Sequence, residues 1–275
     1  MNYFDAVILG IVEGLTEFLP VSSTGHLTIA EEALGLDVAD PAVTAYTAVI
    51  QVGAIAAVVA YFAQDIWRIA KAWLLGLAKP EYRGKLDHRM GWYVILGSIP
   101  VGVAGLLFKD LITGPLRSLW VVAGALILWS GVMWVAERSA RQTREERNMT
   151  AKDALVIGLT QVVALVPGVS RSGATISAGL LLGLDRVSAT RLSFFLSVPA
   201  LVGAGLFELK DALGGDIGLG ETVVGVLVAF VVAYGAIAWL LRFVAGHRIT
   251  AFVPYRVALG LVLVALLATG VMSAT

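Results

Sequence analysis

Two carboxylates, Glu13 and Glu17, stand four residues apart in the apolar run EGLTEFLP. On a helix this spacing brings both to one face, about one turn apart. In apolar surroundings such a pair repels itself and loses its hydration, so one member must be protonated or a cation must sit between them. Oxygen donors suit a hard divalent ion, which makes Glu13 and Glu17 candidate ligands for Mg2+ or Ca2+. A pair of glutamates at a wet helix end is the plainer explanation, and the apolar residues on both sides argue against it.

A second group lies in PGVSRSGAT, residues 167–175. Pro and Gly interrupt a helix here, and the helix restarting after them would offer unpaired amide N–H groups beside the hydroxyls of Ser170, Ser172 and Thr175. Arg171 adds a guanidinium able to grip two phosphate oxygens at once. The segment reads as an anion cradle, although an Arg snorkelling to the interface over a capped helix would look the same locally. The opposing carboxylates favour the cradle. His26 follows PVSSTG, close to Ser22, Ser23 and Thr24. Its imidazole could serve as general base, nucleophile or acid for a leaving phosphate. A lone His is more often structural, so its case rests on the cradle and the carboxylates lying at the same depth. Gln51, in IQVGAI, could line a cavity or bond between helices.

These groups need a membrane scaffold. Only 15% of the 275 residues are charged and 58% are hydrophobic, against about a quarter charged in a soluble domain. A formal net charge of +0 suggests neither a nucleic-acid surface nor a polybasic anchor, and the absence of Cys removes disulfides, thiolate metal sites and a Cys nucleophile. The first residues lack a basic n-region and carry Glu13 and Glu17 within their apolar run, so they are expected to belong to the mature fold. Six segments, roughly 41–63, 88–108, 116–136, 187–208, 221–241 and 254–272, are apolar over the length of about 20 residues that a bilayer core requires. Two more, roughly 5–36 and 152–183, are broken by PVSSTGH and PGVSRSG and read as re-entrant helix pairs. Irregular backbone at membrane depth must be buried in protein or line a wet cavity, so the two breaks should face one another.

Lys and Arg in short loops set the orientation. None precedes Arg68, whereas the loop after the first span carries Arg68, Lys71, Lys79, Arg83, Lys85 and Arg89 and should be cytoplasmic. The loop with Arg138, Arg141, Arg144, Arg147 and Lys152 and the one with Arg242 and Arg248 fall on the same side. The connection with Glu208, Asp211, Asp216 and Glu221, with Lys210 alone, falls opposite. On this reading 5–36 dips in from outside and 152–183 from the cytoplasm. A shift of 148 positions lays Asp5 on Asp153, Gly10 on Gly158, Ser22 on Ser170 and Gly25 on Gly173. The expectation is one all-α polytopic membrane domain over 1–275, an inverted-topology repeat with halves 1–140 and 150–275. Its chemistry is divided, for Glu13 falls on Gln161, Glu17 on Leu165, Ser23 on Arg171 and His26 on Ala174.

EGLTEFLPVSSTGHL (13–27) and PGVSRSGAT (167–175) resemble the two signature motifs of the bacterial undecaprenyl-diphosphate phosphatase family, and the span pattern fits along essentially the whole chain. The resemblance implies a polyprenyl diphosphate substrate, a multi-pass place in the bacterial cell membrane and a divalent metal at Glu13 and Glu17. It implies roles at the diphosphate for His26, Arg171, Ser170, Ser172 and Thr175. With these, Glu17 and Ser23 are expected to be catalytic, and Ser22, Thr24 and Gln51 are expected to join Ser170, Arg171, Ser172 and Thr175 in binding substrate. Whether His26 or a Ser attacks, or His26 activates water, stays open, as does a homodimer. A site opening to the extracytoplasmic side and a role in recycling the cell-wall lipid carrier are expected. The main alternative is a transporter or lipid flippase, since inverted repeats with broken helices mark many transporters. A purely structural scaffold would leave the buried ionisable groups unexplained.

Overall fold

The computed structural model describes residues 1–38, 40–212 and 218–274, with the side chains of residues 41, 113 and 204–212 left aside. It is built from helices, in order α1 (Tyr3–Thr16), α2 (Ser23–Ala33), α3 (Pro41–Tyr61), α4 (Ala63–Ala78), α5 (Leu86–Leu107), α6 (Lys109–Thr113), α7 (Leu119–Ser139), α8 (Ala151–Val163), α9 (Arg171–Leu181), α10 (Arg186–Ala212), α11 (Leu219–Gly246) and α12 (Val253–Ala268). Five helical stretches among the described residues are long and apolar enough to cross a membrane: Ala42–Tyr61, Leu86–Leu107, Leu119–Ser139, Leu219–Gly246 and Ile249–Ala268. The sixth expected span, 187–208, coincides with the 27-residue α10. Of the acidic connection that follows it, Glu208, Lys210, Asp211 and Asp216 lie outside the described side chains. Exposed large apolar residues such as Leu106, Leu128, Val231 and Leu261 ring the outside, which in a bilayer is the lipid-facing surface.

The basic stretch expected to be a loop after the first span is largely helical. In α4, Ile69, Ala72 and Gly76 share one buried face against α5, while Trp67 and Leu74 remain exposed. Apolar residues at helical spacing gave this segment an amphipathic face that its Lys and Arg content concealed.

Both expected breaks are present, each between a pair of helices. The repeated residues turn out to be the ones that shape the backbone. Asn2 and Thr150 open α1 and α8 with capping boxes whose partners are Asp5 and Asp153, so the matched aspartates satisfy helix N-termini. Gly10 and Gly158 let those two helices lie directly on neighbours. A Cβ at Gly10 would meet the Gly225 carbonyl of α11 at 2.7 Å, and one at Gly158 would strike the Gly97 backbone of α5. Small residues at such crossings are how helices pack closely in a membrane. Ser22 and Ser170, at the N-caps of α2 and α9, share a positive φ of 78° and 77°. α1 thus rests on α11 and α8 on α5, while α3 packs on α10 and α7 on α12.

Candidate active site

Glu17 is the first residue after α1, and Pro20 prevents that helix from continuing. The chain turns through Val21 and Ser22 and restarts as α2 at Ser23. In the second pair, α8 ends at Val163, Gly168 turns with φ 98°, and α9 restarts at Arg171. The two breaks meet. Arg171 Nη2 donates to Glu17 Oε1 in a short ion pair, and Ser23 Oγ donates to Glu17 Oε2 at 2.5 Å. Across the same junction Gly168 N–H donates to Ser22 Oγ at 3.1 Å, and Ser172 Oγ donates to Leu19 O at 2.9 Å. Phe18 anchors the first break by packing edge-on against Phe194 of α10, with ring centroids 5.4 Å apart.

Between the breaks lies a cavity of about 200 Å3. Its polar lining comes from Glu17, Ser22, Ser23, Thr24, Gln51, Gln161, Ser170 and Arg171, and its apolar lining includes Val101, Val166, Pro167 and Leu201. Glu17, Ser22, Ser23, Thr24, Gln51, Ser170 and Arg171 therefore share one space, as their sequence positions suggest. Other predicted site residues stand elsewhere. Ser172 is spent on Leu19 O and Ser170 Oγ, and the Thr175 hydroxyl lies 2.7 Å from Ser193 Oγ, joining α9 to α10. Neither lines the cavity. The amide N–H of Gly173, expected to be free for an anion, is capped by Ser170 Oγ at 3.1 Å. The cradle is consequently narrower than the motif implies.

His26 also lies outside the cavity lining. Its Nδ1 is 2.7 Å from the Ser22 carbonyl and its Nε2 is 2.6 Å from Tyr255 Oη, with the two rings stacked 5.6 Å apart. A carbonyl only accepts, so Nδ1 carries the proton in the neutral ring and Nε2 accepts from the tyrosine hydroxyl. Both ring nitrogens are engaged in this state.

Glu13 is buried beside the site, and its Oε1 has no hydrogen-bond partner. The amide oxygen and nitrogen of Gln161, the residue that the 148-position shift lays on Glu13, are likewise buried without partners. Unpartnered buried oxygens of this kind fit a hard divalent cation. Glu17 could join them only by exchanging part of its pairing with Arg171 and Ser23. Among the described residues no three His, Cys, Asp or Glu side chains cluster as a metal site, so a bound ion would draw on the Gln161 amide or on substrate oxygens.

The sequence reading missed Gln161, Tyr255 and Arg256. Arg256 is fully buried and reaches the backbone of both breaks. An ionisable residue inside the apolar stretch 254–272 was the available signal.

Helices long enough to span a bilayer and an internal polar cavity between two broken helical segments define a polytopic membrane protein with a buried site. The family model described as "Bacitracin resistance protein BacA" matches residues 6–262, and the chain belongs to that family. It is 56% identical over 278 residues, covering all of both chains, to "Undecaprenyl-diphosphatase 3" of Frankia casuarinae. It is 59% identical over 268 residues to "Undecaprenyl-diphosphatase 1" of Streptomyces coelicolor, covering 97% of this chain and 96% of the relative. Identity to "Undecaprenyl-diphosphatase" of Mycolicibacterium smegmatis is 51% over 280 residues, again covering all of both.

Proposed function

We propose that this chain is an integral membrane phosphatase that hydrolyses undecaprenyl diphosphate to undecaprenyl phosphate and inorganic phosphate, recycling the lipid carrier of cell-wall synthesis. The names of its relatives supply the substrate, and none of them supports the transporter alternative. One observation carries the chemistry. Ser23 Oγ already donates its proton to Glu17 Oε2 at 2.5 Å, in a cavity that also holds Arg171.

In the step this geometry favours, Ser23 Oγ attacks the terminal phosphorus and its proton passes to Glu17. The bond from that phosphorus to the bridging oxygen breaks, and undecaprenyl phosphate leaves. Water then attacks the phosphoserine, the bond from phosphorus to Ser23 Oγ breaks as Glu17 returns its proton to that oxygen, and inorganic phosphate leaves with the protons of the water. Arg171 neutralises charge on the transferred group, where most of the stabilisation of such a reaction arises. Thr24 would donate a hydrogen bond to a phosphate oxygen, and so would Ser170 once its hydroxyl turns from Ser172 Oγ. His26, engaged by Ser22 and Tyr255, orients the start of α2 and is not the attacking group. Mg2+ or Ca2+ held by Glu13 and Glu17 would supply further charge neutralisation when bound. The basic loops facing the cytoplasm would open the site to the extracytoplasmic side of the bacterial cell membrane, with two inverted half-repeats meeting at the cavity.

The test is phosphate release from a polyprenyl diphosphate by the purified protein in detergent, with and without a chelator. Release that stops on chelation and in Ser23→Ala supports the scheme. Ser23→Ala at wild-type rate moves the attack to water, and no release at all refutes the phosphatase reading.

A further inference from the structure

Arg256 occupies the first turn of α12 and has no exposed surface. Its Nη1 donates to Pro20 O at 2.9 Å, in the first break. Its Nη2 donates to Gly168 O at 2.9 Å and to Val169 O at 3.1 Å, in the second. Its Nε donates to Ser130 Oγ of α7 at 3.1 Å. Among the described residues it forms no ion pair. Burying a cation without a counter-ion costs several kcal/mol, so its hydrogen bonds must return something to the chain.

What it gains is local to the breaks. Carbonyls released where a helix is interrupted cannot find water at membrane depth and must be satisfied by protein. One guanidinium satisfies three of them, two in one break and one in the other. The loops it touches each hold a strained serine, with φ of 78° at Ser22 and 77° at Ser170. Such conformations persist only where surrounding contacts over-determine them. Each strained serine borders a catalytic or binding residue, Ser23 in one break and Arg171 in the other.

We infer that Arg256 is a positioning residue that clamps the two breaks in register, so that Ser23 and Glu17 meet Arg171 across the cavity. This rests on the phosphatase reading above, yet its geometry can be tested apart from it. The planar fork is the essential feature, because a Lys ammonium at this position keeps the charge but cannot bridge both loops with fixed directions.

The chain has no Cys, so Thr24→Cys and Val166→Cys, which line the cavity from opposite breaks, report register through the rate of cross-linking by a short bifunctional thiol reagent. Combined with Arg256→Lys, cross-linking should slow at least tenfold at a temperature well below the thermal midpoint, which should itself fall because the ammonium leaves carbonyls of the breaks without a donor. In the Cys-free background the same substitution should lower kcat tenfold or more and leave KM within about threefold, the pattern of lost transition-state alignment. Unchanged cross-linking with unchanged kcat overturns the clamp. Unchanged cross-linking with a fallen kcat also overturns it, assigning Arg256 a direct charge effect on substrate. Slower cross-linking, where the Cys-free wild-type protein releases no phosphate, upholds the clamp and sinks the phosphatase reading instead. If Arg256→Lys does not insert, Arg256→Gln, whose single amide nitrogen cannot reach both breaks, carries the same measurements and the same outcomes.

Discussion

Replacing Arg171 by Lys separates the shape of a cation from its charge. The guanidinium is paired with Glu17 in a setting where the Arg side chain is 16% exposed and the Glu side chain 6%. So little water reaches this pair that the small values typical of surface ion pairs do not apply. A Lys ammonium still opposes Glu17, and the protein should fold with little change in thermal midpoint. It cannot hold the carboxylate and two phosphate oxygens together, so about one charge-assisted hydrogen bond is lost, roughly 1.5–3 kcal/mol. That corresponds to a tenfold to hundredfold fall in kcat/KM, to order of magnitude. Arg171→Met, which leaves Glu17 uncompensated beside Glu13, should also destabilise the protein by about 3–5 kcal/mol. The assay is steady-state phosphate release at saturating divalent metal, with thermal unfolding in detergent as the control. Wild-type kcat/KM in the Lys variant at unchanged stability would remove Arg171 from the site and reduce the second motif to a helix cap.

Orientation is open to thiol labelling: Thr24→Cys, at an exposed position in the first break, should react with an impermeant reagent added outside intact cells, and Lys152→Cys should not. The reverse pattern would invert the topology. Gly14→Ala should lower the thermal midpoint, because a Cβ there would sit 2.8 Å from Ala229 O and 2.9 Å from Ala233 N of α11. The expected cost is about 1–3 kcal/mol, and an unchanged midpoint would mean that α1 does not rest on α11. Tyr255→Phe keeps the stack on His26 but removes the hydroxyl that donates to Nε2. A loss of about 1 kcal/mol, roughly fivefold in kcat/KM, is expected, and full activity would show that this contact does not orient α2.

Much of the site was legible because polar residues inside apolar runs are conspicuous. Glu17 and Arg171 stood out by type alone, Ser23 only as one of three hydroxyl residues beside His26, and the structure brings both Arg171 and Ser23 onto Glu17. What the sequence hid was which way each side chain faces. Ser172 and Thr175 belong to the same motif as Arg171, but the turn of α9 directs one to the Leu19 carbonyl and the other to Ser193. His26 looked catalytic beside three hydroxyl residues, and its two nitrogens are held by Ser22 and by Tyr255, a residue 229 positions away. No local pattern predicts a partner so distant. A shift of 148 positions matched Asp5, Gly10 and Ser22 to Asp153, Gly158 and Ser170, and the structure uses these positions as a cap, a close helix crossing and a left-handed turn. Arg256 was overlooked because one charge scarcely alters the mean hydropathy of a long apolar span, although its burial is what ties the breaks together.

In the proposed phosphatase, residues from two distant breaks form one catalytic centre. A double-mutant cycle of Glu17→Gln and Arg171→Lys, read as kcat/KM for phosphate release from a polyprenyl diphosphate, decides whether they do. Groups acting as a unit are not additive, so each single variant should be severely impaired and the double variant little worse than the worse single. If the two losses instead multiply, Glu17 and Arg171 act independently, and the shared centre is contradicted.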